Sequence, residues 1–169
     1  MGGPCYFITP SGKKPAPACT DNFQISIFEY PLGSGELWHS VEQCYQGQKF
    51  PTGPGRVALR NATPLPGESD HSHGYRVWDL GQKFRKIRAD WDSKKVEVMY
   101  LINVAKYASH EDLRAELLST NDTPMVGAPS TWEWSKWNGR IQMLIRKKLQ
   151  SGIDMGTITE VTPEEFEDL

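Results

Sequence analysis

The chain has 169 residues, 38% of them hydrophobic and 24% charged, with a formal net charge of −2, which suits one domain burying roughly two thirds of the surface of its unfolded chain. No apolar run approaches the roughly 18 residues that cross a bilayer, and the three cysteines Cys5, Cys19 and Cys44 have no C-x-x-C spacing, which argues against a disulfide framework and a zinc site. All six acidic groups after Ser151 (Asp154, Glu160, Glu164, Glu165, Glu167 and Asp168) stand without a Lys or Arg and leave the body at +4, a mildly basic surface suited to a phosphate-bearing ligand.

Met1-Gly-Gly-Pro-Cys5 leads into Pro, Lys and Ser without an apolar signal segment, and Tyr6 stands where N-myristoylation needs Ser or Thr. A reducing interior suits the free thiols, so the expected location is cytoplasmic, with the nucleus second, and the expected state is a monomer away from membranes. Residues 1 to 19 are rich in Pro, Gly and Lys, with Tyr6-Phe7-Ile8 as a short strand and Ser11-Gly12 as a turn. Phe23 to Phe28 alternates apolar and polar residues and reads as a half-buried strand before a Pro31 to Gly35 turn.

Trp38 to Phe50 then reads as a capped amphipathic helix. Ser40 can accept a bond from an orphan N–H of the first turn, and Gln43 three residues on completes a capping-box pattern. Glu42, Tyr45, Gln46 and Lys49 fall at i, i+3, i+4 and i+7 and share one face. A solvated surface face is the plain reading of such a row, but Trp38, Tyr45 and Phe50 are large apolar groups that a freely solvated helix does not need. Cys44 reads as a buried thiol.

Gly53-Pro-Gly55 ends that element, Arg56 to Arg60 makes a short helical turn, and Thr63 to Gly74 reads as a loop of Pro, Ser and His. Its His71-Ser-His73 pair has alternate spacing, but few carboxylates stand nearby, and no metal is expected. Tyr75 to Leu80 suggests a further helical turn closed by Gly81. Ser93 to Ser109 follows 3.6-residue spacing with Asp92 as cap, Leu113 to Leu118 forms a short helix, and Gly139 to Leu149 turns Ile141, Leu144, Ile145 and Leu149 inward. The inventory gives a single compact, mostly helical α+β domain with a few short strands over residues 1–150, followed by an acidic tail over 151–169.

The chain carries no Gly-rich phosphate loop, no G-x-S-x-G elbow and no metal-spaced His pair on a helix. A carboxylate and an amine along one helix face remain, with Asn22, Arg60 and Trp91 as candidates elsewhere. Arg60 offers a planar fork for phosphate or, alternatively, makes a surface salt bridge. Trp91 offers a flat face for a base or packs in the core. Asn22 can bond sugar or base edges or close a turn.

The run Trp38-His-Ser-Val-Glu-Gln-Cys-Tyr-Gln-Gly-Gln-Lys-Phe50 resembles the W-x-[ST]-V-E-x-x-[YF]-Q-A-Q-K-F signature of the NADAR family, the YbiA-like N-glycosidases. Asp21-Asn22-Phe23 is similar to that family's S-N-F element, Leu59-Arg60-Asn61-Ala62-Thr63-Pro64 to its I-R-x-A-x-[ST]-P run, and Arg88-Ala89-Asp90-Trp91 with Val98-Met99 to its R-x-D-W and V-M run; Gly139 and Arg146 keep the spacing of its last helix. The matches fall in family order across about residues 20 to 149. The resemblance implies a YbiA-like fold and hydrolysis of an N-glycosidic bond in an ADP-ribose or ribose-phosphate compound, without a cofactor. Glu42 would act as general acid or base, and Lys49 either as a Schiff-base nucleophile or as an electrostatic partner. Asn22, Phe23, Trp38, Tyr45, Gln46, Arg60, Asn61, Trp91 and Trp134 would contact substrate. The favoured substrate is ADP-ribose on guanine of DNA or of a nucleotide; the alternatives are ribosylamino-pyrimidine intermediates of riboflavin biosynthesis, or ADP-ribose binding without catalysis. The segment Thr131-Trp-Glu-Trp134 departs from the family's D-x-x-W-G: Thr131 falls where the acid stands, the sequence leaves open whether the nearby Glu133 substitutes for it, and the three indoles Trp132, Trp134 and Trp137 are expected to form a lid or wall.

Overall fold

Residues 3–167 are described by the structure, a computed structural model; the N-terminal Met1-Gly2 and the last acidic group of the tail, Asp168, lie outside them. In chain order the elements are β1 (Cys5–Thr9), β2 (Gly12–Pro15), β3 (Phe28–Glu29), β4 (Leu37–Trp38), α1 (Val41–Gln48), α2 (Pro54–Arg60), α3 (Asp70–Gln82), α4 (Trp91–Ser109), α5 (Glu111–Leu118), β5 (Met125–Gly127), α6 (Trp134–Gln150) and α7 (Pro163–Glu167). The α+β, mostly helical reading holds. No helix among the described residues is long and apolar enough to cross a membrane.

The strands form an antiparallel sheet of order β2-β1-β5 and a separate β3-β4 pair. Where a strand was expected over Phe23 to Phe28, only Phe28 and Glu29 pair, with Trp38 and Leu37. The chain ahead of them turns instead: the Asp21 Oδ1 accepts from the Phe23 N–H at 2.9 Å. His71 to Gly74, expected in a loop, belongs to α3, which Ser69 caps by accepting from the Ser72 N–H at 3.2 Å. The last long helix starts at Trp134, five residues before Gly139, and α4 starts at Trp91 with Asp90 at its cap position.

The main core gathers around α4, whose Tyr100, Ile102, Val104 and Tyr107 meet Ile141, Leu144 and Ile145 of α6. Gly139 lets α6 lie flat on β5: a Cβ there would stand 2.4 Å from the Met125 carbonyl oxygen. The acidic tail folds back onto this body, with Phe166 buried edge-on against Tyr100 and Trp137 at 5.7 and 5.4 Å, and Lys148 paired with Glu165. A second small cluster of Phe50, Leu59, Ala62 and Val77 holds α1, α2 and α3 together.

An ammonium lies in this interior, away from α1. Lys106 is fully buried in α4, its Nζ donating to the Cys19 carbonyl at 2.5 Å and lying 4.8 Å from the Tyr107 ring centroid. Burial lowers its amine to about 8 and pushes the Cys5 and Cys19 thiols up to about 12. Above pH 8 the unfolded chain therefore holds more protons at this lysine than the folded one, and stability rises with pH. The thiols act oppositely, because they ionise only when unfolded. The lysine alone adds roughly 1 kcal/mol between pH 8 and 9, the thiols offset most of it there and outweigh it above pH 9, so urea unfolding should show wild-type stability levelling off and then falling, while its advantage over Lys106→Met grows by roughly 1 kcal/mol from pH 8 to 9. A difference between wild type and Lys106→Met that stays constant from pH 8 to 9 would contradict this account.

Candidate functional site

The site is built on α1, and the capping residues fix where that helix begins. The Ser40 Oγ accepts from the Gln43 N–H at 3.1 Å, while the Gln43 Oε1 accepts from the His39 N–H at 2.7 Å. The same Gln43 side chain donates through Nε2 to the Leu59 and Ala62 carbonyls at 2.9 and 3.3 Å, tying the start of α1 to the end of α2. Glu42 consequently sits in a locked first turn, where the helix dipole favours negative charge.

The four residues of the expected face do lie together and are sheltered. Glu42 and Gln46 are 0% and 1% exposed, Tyr45 is buried and Lys49 is half-buried. The Gln46 Nε2 donates to the Glu42 Oε1 at 2.7 Å, orienting the carboxyl plane. Gly81 of α3 makes room for that amide, since a Cβ there would lie 2.2 Å from the Gln46 Oε1. Lys49 closes the helix with its Nζ 5.8 Å from the Tyr45 ring centroid. Burial lowers its amine below the ordinary lysine value, and the Glu42 carboxylate opposes that shift.

Aromatic rings wall the row. Tyr45 packs against Trp91 at 4.9 Å and edge-on against Trp134 at 5.4 Å, and burial pushes its phenol well up. Trp134 meets Trp132 in turn at 5.3 Å. Asn22 stands behind Glu42, its carbonyl accepting from the Glu42 N–H at 2.9 Å. Its side-chain amide donates to the Asn138 Oδ1 and accepts from the Asn103 Nδ2, both at 3.2 Å, and Gln142 and Tyr107 extend the chain. Two buried polar atoms near the row, the Gln46 Oε1 and the Asn138 Nδ2, have no protein partner among the described residues. Asn138 was not singled out from the sequence, although it stands one helical turn after Trp134.

Other expected site residues lie apart from the row. Trp38 is fully buried behind α1, where Gly47 accommodates its ring and its indole N–H donates to the Tyr30 carbonyl at 3.2 Å. At 100° per residue, Gly47 faces away from Tyr45, so Trp38 holds the helix from the far side and does not line the row. Arg60 is exposed and pairs with Glu36 at 3.1 Å, the alternative open to it in sequence; Asn61 is exposed at the end of α2. Phe23 is buried against Gly74 of α3, with the His71 ring 5.9 Å away. His73 is buried and its Nε2 donates to the Ala62 carbonyl at 2.9 Å, a structural bond that accounts for it. Glu133 is exposed and 4.0 Å from the Lys136 amine. Among the described residues no group of three or more His, Cys, Asp or Glu is placed to hold a metal ion.

Grooves among the described residues lie elsewhere, of about 280 Å³ beside Tyr30, Leu101 and Ile158, about 190 Å³ beside Leu144, Lys148 and Glu165, and about 470 Å³ beside Lys94, Trp137 and Phe166. In the last two the amines of Lys148 and Lys94 are held by the Glu165 and Glu97 carboxylates, and the lining of the first has neither carboxylate nor amine, so it has nothing with which to move a proton. The α1 row does: it combines a carboxyl, a partly desolvated amine and a flat aromatic wall, the groups that acid–base or imine chemistry on a sugar next to a planar base needs.

The family model for the NADAR domain matches residues 7–136. An N-glycosidase of Nostoc punctiforme is 27% identical over 133 residues, covering 73% of this chain and 81% of that protein. A chloroplastic riboflavin biosynthesis protein PYRR of Zea mays is 26% identical over 141 residues, covering 76% of this chain but 23% of the maize protein. The solution structure of E. coli YbiA superposes with a TM-score of 0.64 at 23% identity, covering 79% of each chain, so the fold is YbiA-like.

Proposed function

The chain belongs to the NADAR family, and from that premise we propose that it is an N-glycosidase hydrolysing the bond between ADP-ribose and a guanine base. The observation that carries this reading is the sheltered pair on α1: a carboxylate with no exposed surface and a lysine whose amine is lowered by burial, seven residues apart on one face. Glu42 delivers a proton to the departing base nitrogen as the C1–N bond breaks. The neutral Lys49 Nζ bonds to C1 as the base leaves; the C1–O4 bond then opens, O4 taking the proton that Nζ gives up, to leave a C1=N imine, and water hydrolyses that imine to the sugar aldehyde, which recloses, and the free amine. Tyr45, Trp91 and Trp134 exclude water around the pair, and the basic body favours a diphosphate. The resemblance to the Nostoc N-glycosidase supports the reaction class.

A second reading follows from the maize relative: the same groups acting on a ribosylamino-pyrimidine. Incubation with DNA carrying ADP-ribose on guanine separates the two. Release of free ADP-ribose and recovery of unmodified guanine is the expected result. No release, combined with turnover of the ribosylamino-pyrimidine, would reverse the assignment, and ADP-ribose binding without turnover of either would reduce the protein to a binding module.

A further inference from the structure

We propose that Asn138 is a sugar-binding residue of this site, its side-chain Nδ2 donating to the hydroxyl oxygen on the sugar carbon next to C1. This rests on the N-glycosidase reading and deepens it by naming the group that tells a substrate with that hydroxyl from one without it.

The orientation of the Asn138 amide is fixed by the amides behind it. The Asn103 Nδ2 donates to the Met99 carbonyl at 3.0 Å, and a carbonyl can only accept, so nitrogen and oxygen at Asn103 cannot be exchanged. Its Oδ1 accordingly accepts from the Gln142 Nε2 at 3.0 Å, and its Nδ2 gives its second hydrogen to the Asn22 Oδ1 at 3.2 Å. Asn22 must then present its own Nδ2 to the Asn138 Oδ1, at 3.2 Å. Turning the Asn138 amide over would set two donors face to face. Every bond in the series runs the same way, and it ends on the Asn138 Nδ2, a donor with no protein partner among the described residues.

The series needs only an acceptor from Asn138; the amino group is left over. Asn138 is 2% exposed, and burying an unmet donor destabilises a fold, so this one calls for a partner. Its place supplies the partner. Asn138 stands one helical turn after Trp134, whose ring packs on Tyr45, and a Cβ at Gly127 would lie 2.9 Å from the Asn138 Cβ, so β5 closes one side. Through Asn22, whose carbonyl takes the Glu42 N–H at 2.9 Å, it is tied to the Glu42 end of the row. The other unmet atom there, the Gln46 Oε1, faces the α3 backbone, since a Cβ at Gly81 would stand 2.2 Å from it. At the Glu42 end the departing nitrogen takes the Glu42 proton and O4 takes the proton from Lys49, which leaves the hydroxyl beside C1 as the sugar oxygen still to be met. A neutral amide backed by neutral amides suits that uncharged oxygen, whereas a phosphate draws cations, and no cation bonds into this series. The Nδ2 is screened from solvent, so contact needs neighbouring side chains to rotate, a common accompaniment of binding.

The test is calorimetric titration with ADP-ribose and with its analogue lacking the hydroxyl next to C1 of the terminal ribose, alongside hydrolysis of ADP-ribosyl-guanosine. Wild type should bind ADP-ribose roughly 5- to 150-fold more tightly than the analogue, the span for meeting a buried donor that is otherwise unpaired. Asn138→Asp keeps the acceptor that Asn22 needs and loses the donor; Asn138→Leu keeps the volume and loses both. In each variant the ratio of the two affinities should fall to within about twofold of unity. A change of shape or charge alone moves both ligands together and leaves the ratio standing. Equal wild-type affinity for the two ligands, which requires no variant to fold, a ratio that survives both substitutions, or binding of neither ligand would overturn the assignment. Turnover of ADP-ribosyl-guanosine without discrimination defeats the Asn138 contact and keeps the N-glycosidase; discrimination that the variants lose, without turnover by wild type, defeats the N-glycosidase and keeps the contact.

Discussion

Replacing Glu42 by Gln is expected to lower turnover by roughly 100- to 10,000-fold, the range of a lost general acid. The substitution is nearly isosteric, and an amide oxygen at the same place can still accept the 2.7 Å bond from the Gln46 Nε2. The row therefore keeps its shape while losing its transferable proton. ADP-ribose affinity should stay within about tenfold, or 1.4 kcal/mol. Single-turnover release of ADP-ribose, with calorimetric titration of ADP-ribose as the binding control, measures both. A variant keeping more than a tenth of wild-type turnover would remove Glu42 from the chemistry.

The central helix was legible because two local rules agreed. The Ser40 and Gln43 pair marked its start, and 3.6-residue spacing placed Glu42, Tyr45, Gln46 and Lys49 on one face. Spacing alone could not tell a solvated face from a sheltered one; that difference comes from Trp91 and Trp134, which are 46 and 89 residues from Tyr45 in the chain. Trp38 shows the opposite limit. A Trp beside a catalytic-looking helix reads equally as wall or as core, and the deciding contact, Gly47 pressed against its ring, is three-dimensional.

The elements that escaped sequence reading are those whose residues answer to distant partners. Gly74 and Gly81 weaken α3 as a helix by local propensity, yet each makes room for a specific neighbour, the Phe23 ring and the Gln46 amide. Gly139 and Asn138 interrupt the start of α6 in the same way: one admits β5, the other completes the amide chain to Asn22. β2 has no buried residue and so no alternation to read, and β5 is only three residues long. Of these poor helix formers Gly81 and Asn138 stand by the row, while Gly74 and Gly139 trade local stability for close approach to Phe23 and to β5.

Lys49 gives the sharper division between mechanisms, because Arg can replace its charge but not its nucleophile. Burial favours the neutral amine, so the deprotonated fraction grows as pH rises through a value below the ordinary 10.5. Turnover should climb with pH on that limb, and borohydride added during turnover should trap an adduct on Lys49. Lys49→Arg and Lys49→Ala should then be equally inactive, each losing at least about 100-fold, because neither side chain can form the imine. If the lysine served only to hold phosphate or a hydroxyl, Lys49→Arg would keep most of the activity, no adduct would be trapped, and activity would fall as pH rose and the ammonium was lost. The lowered amine beside a fully buried carboxylate favours the first pattern: a site needing only a fixed positive charge has no reason to desolvate the one cation able to give up its proton.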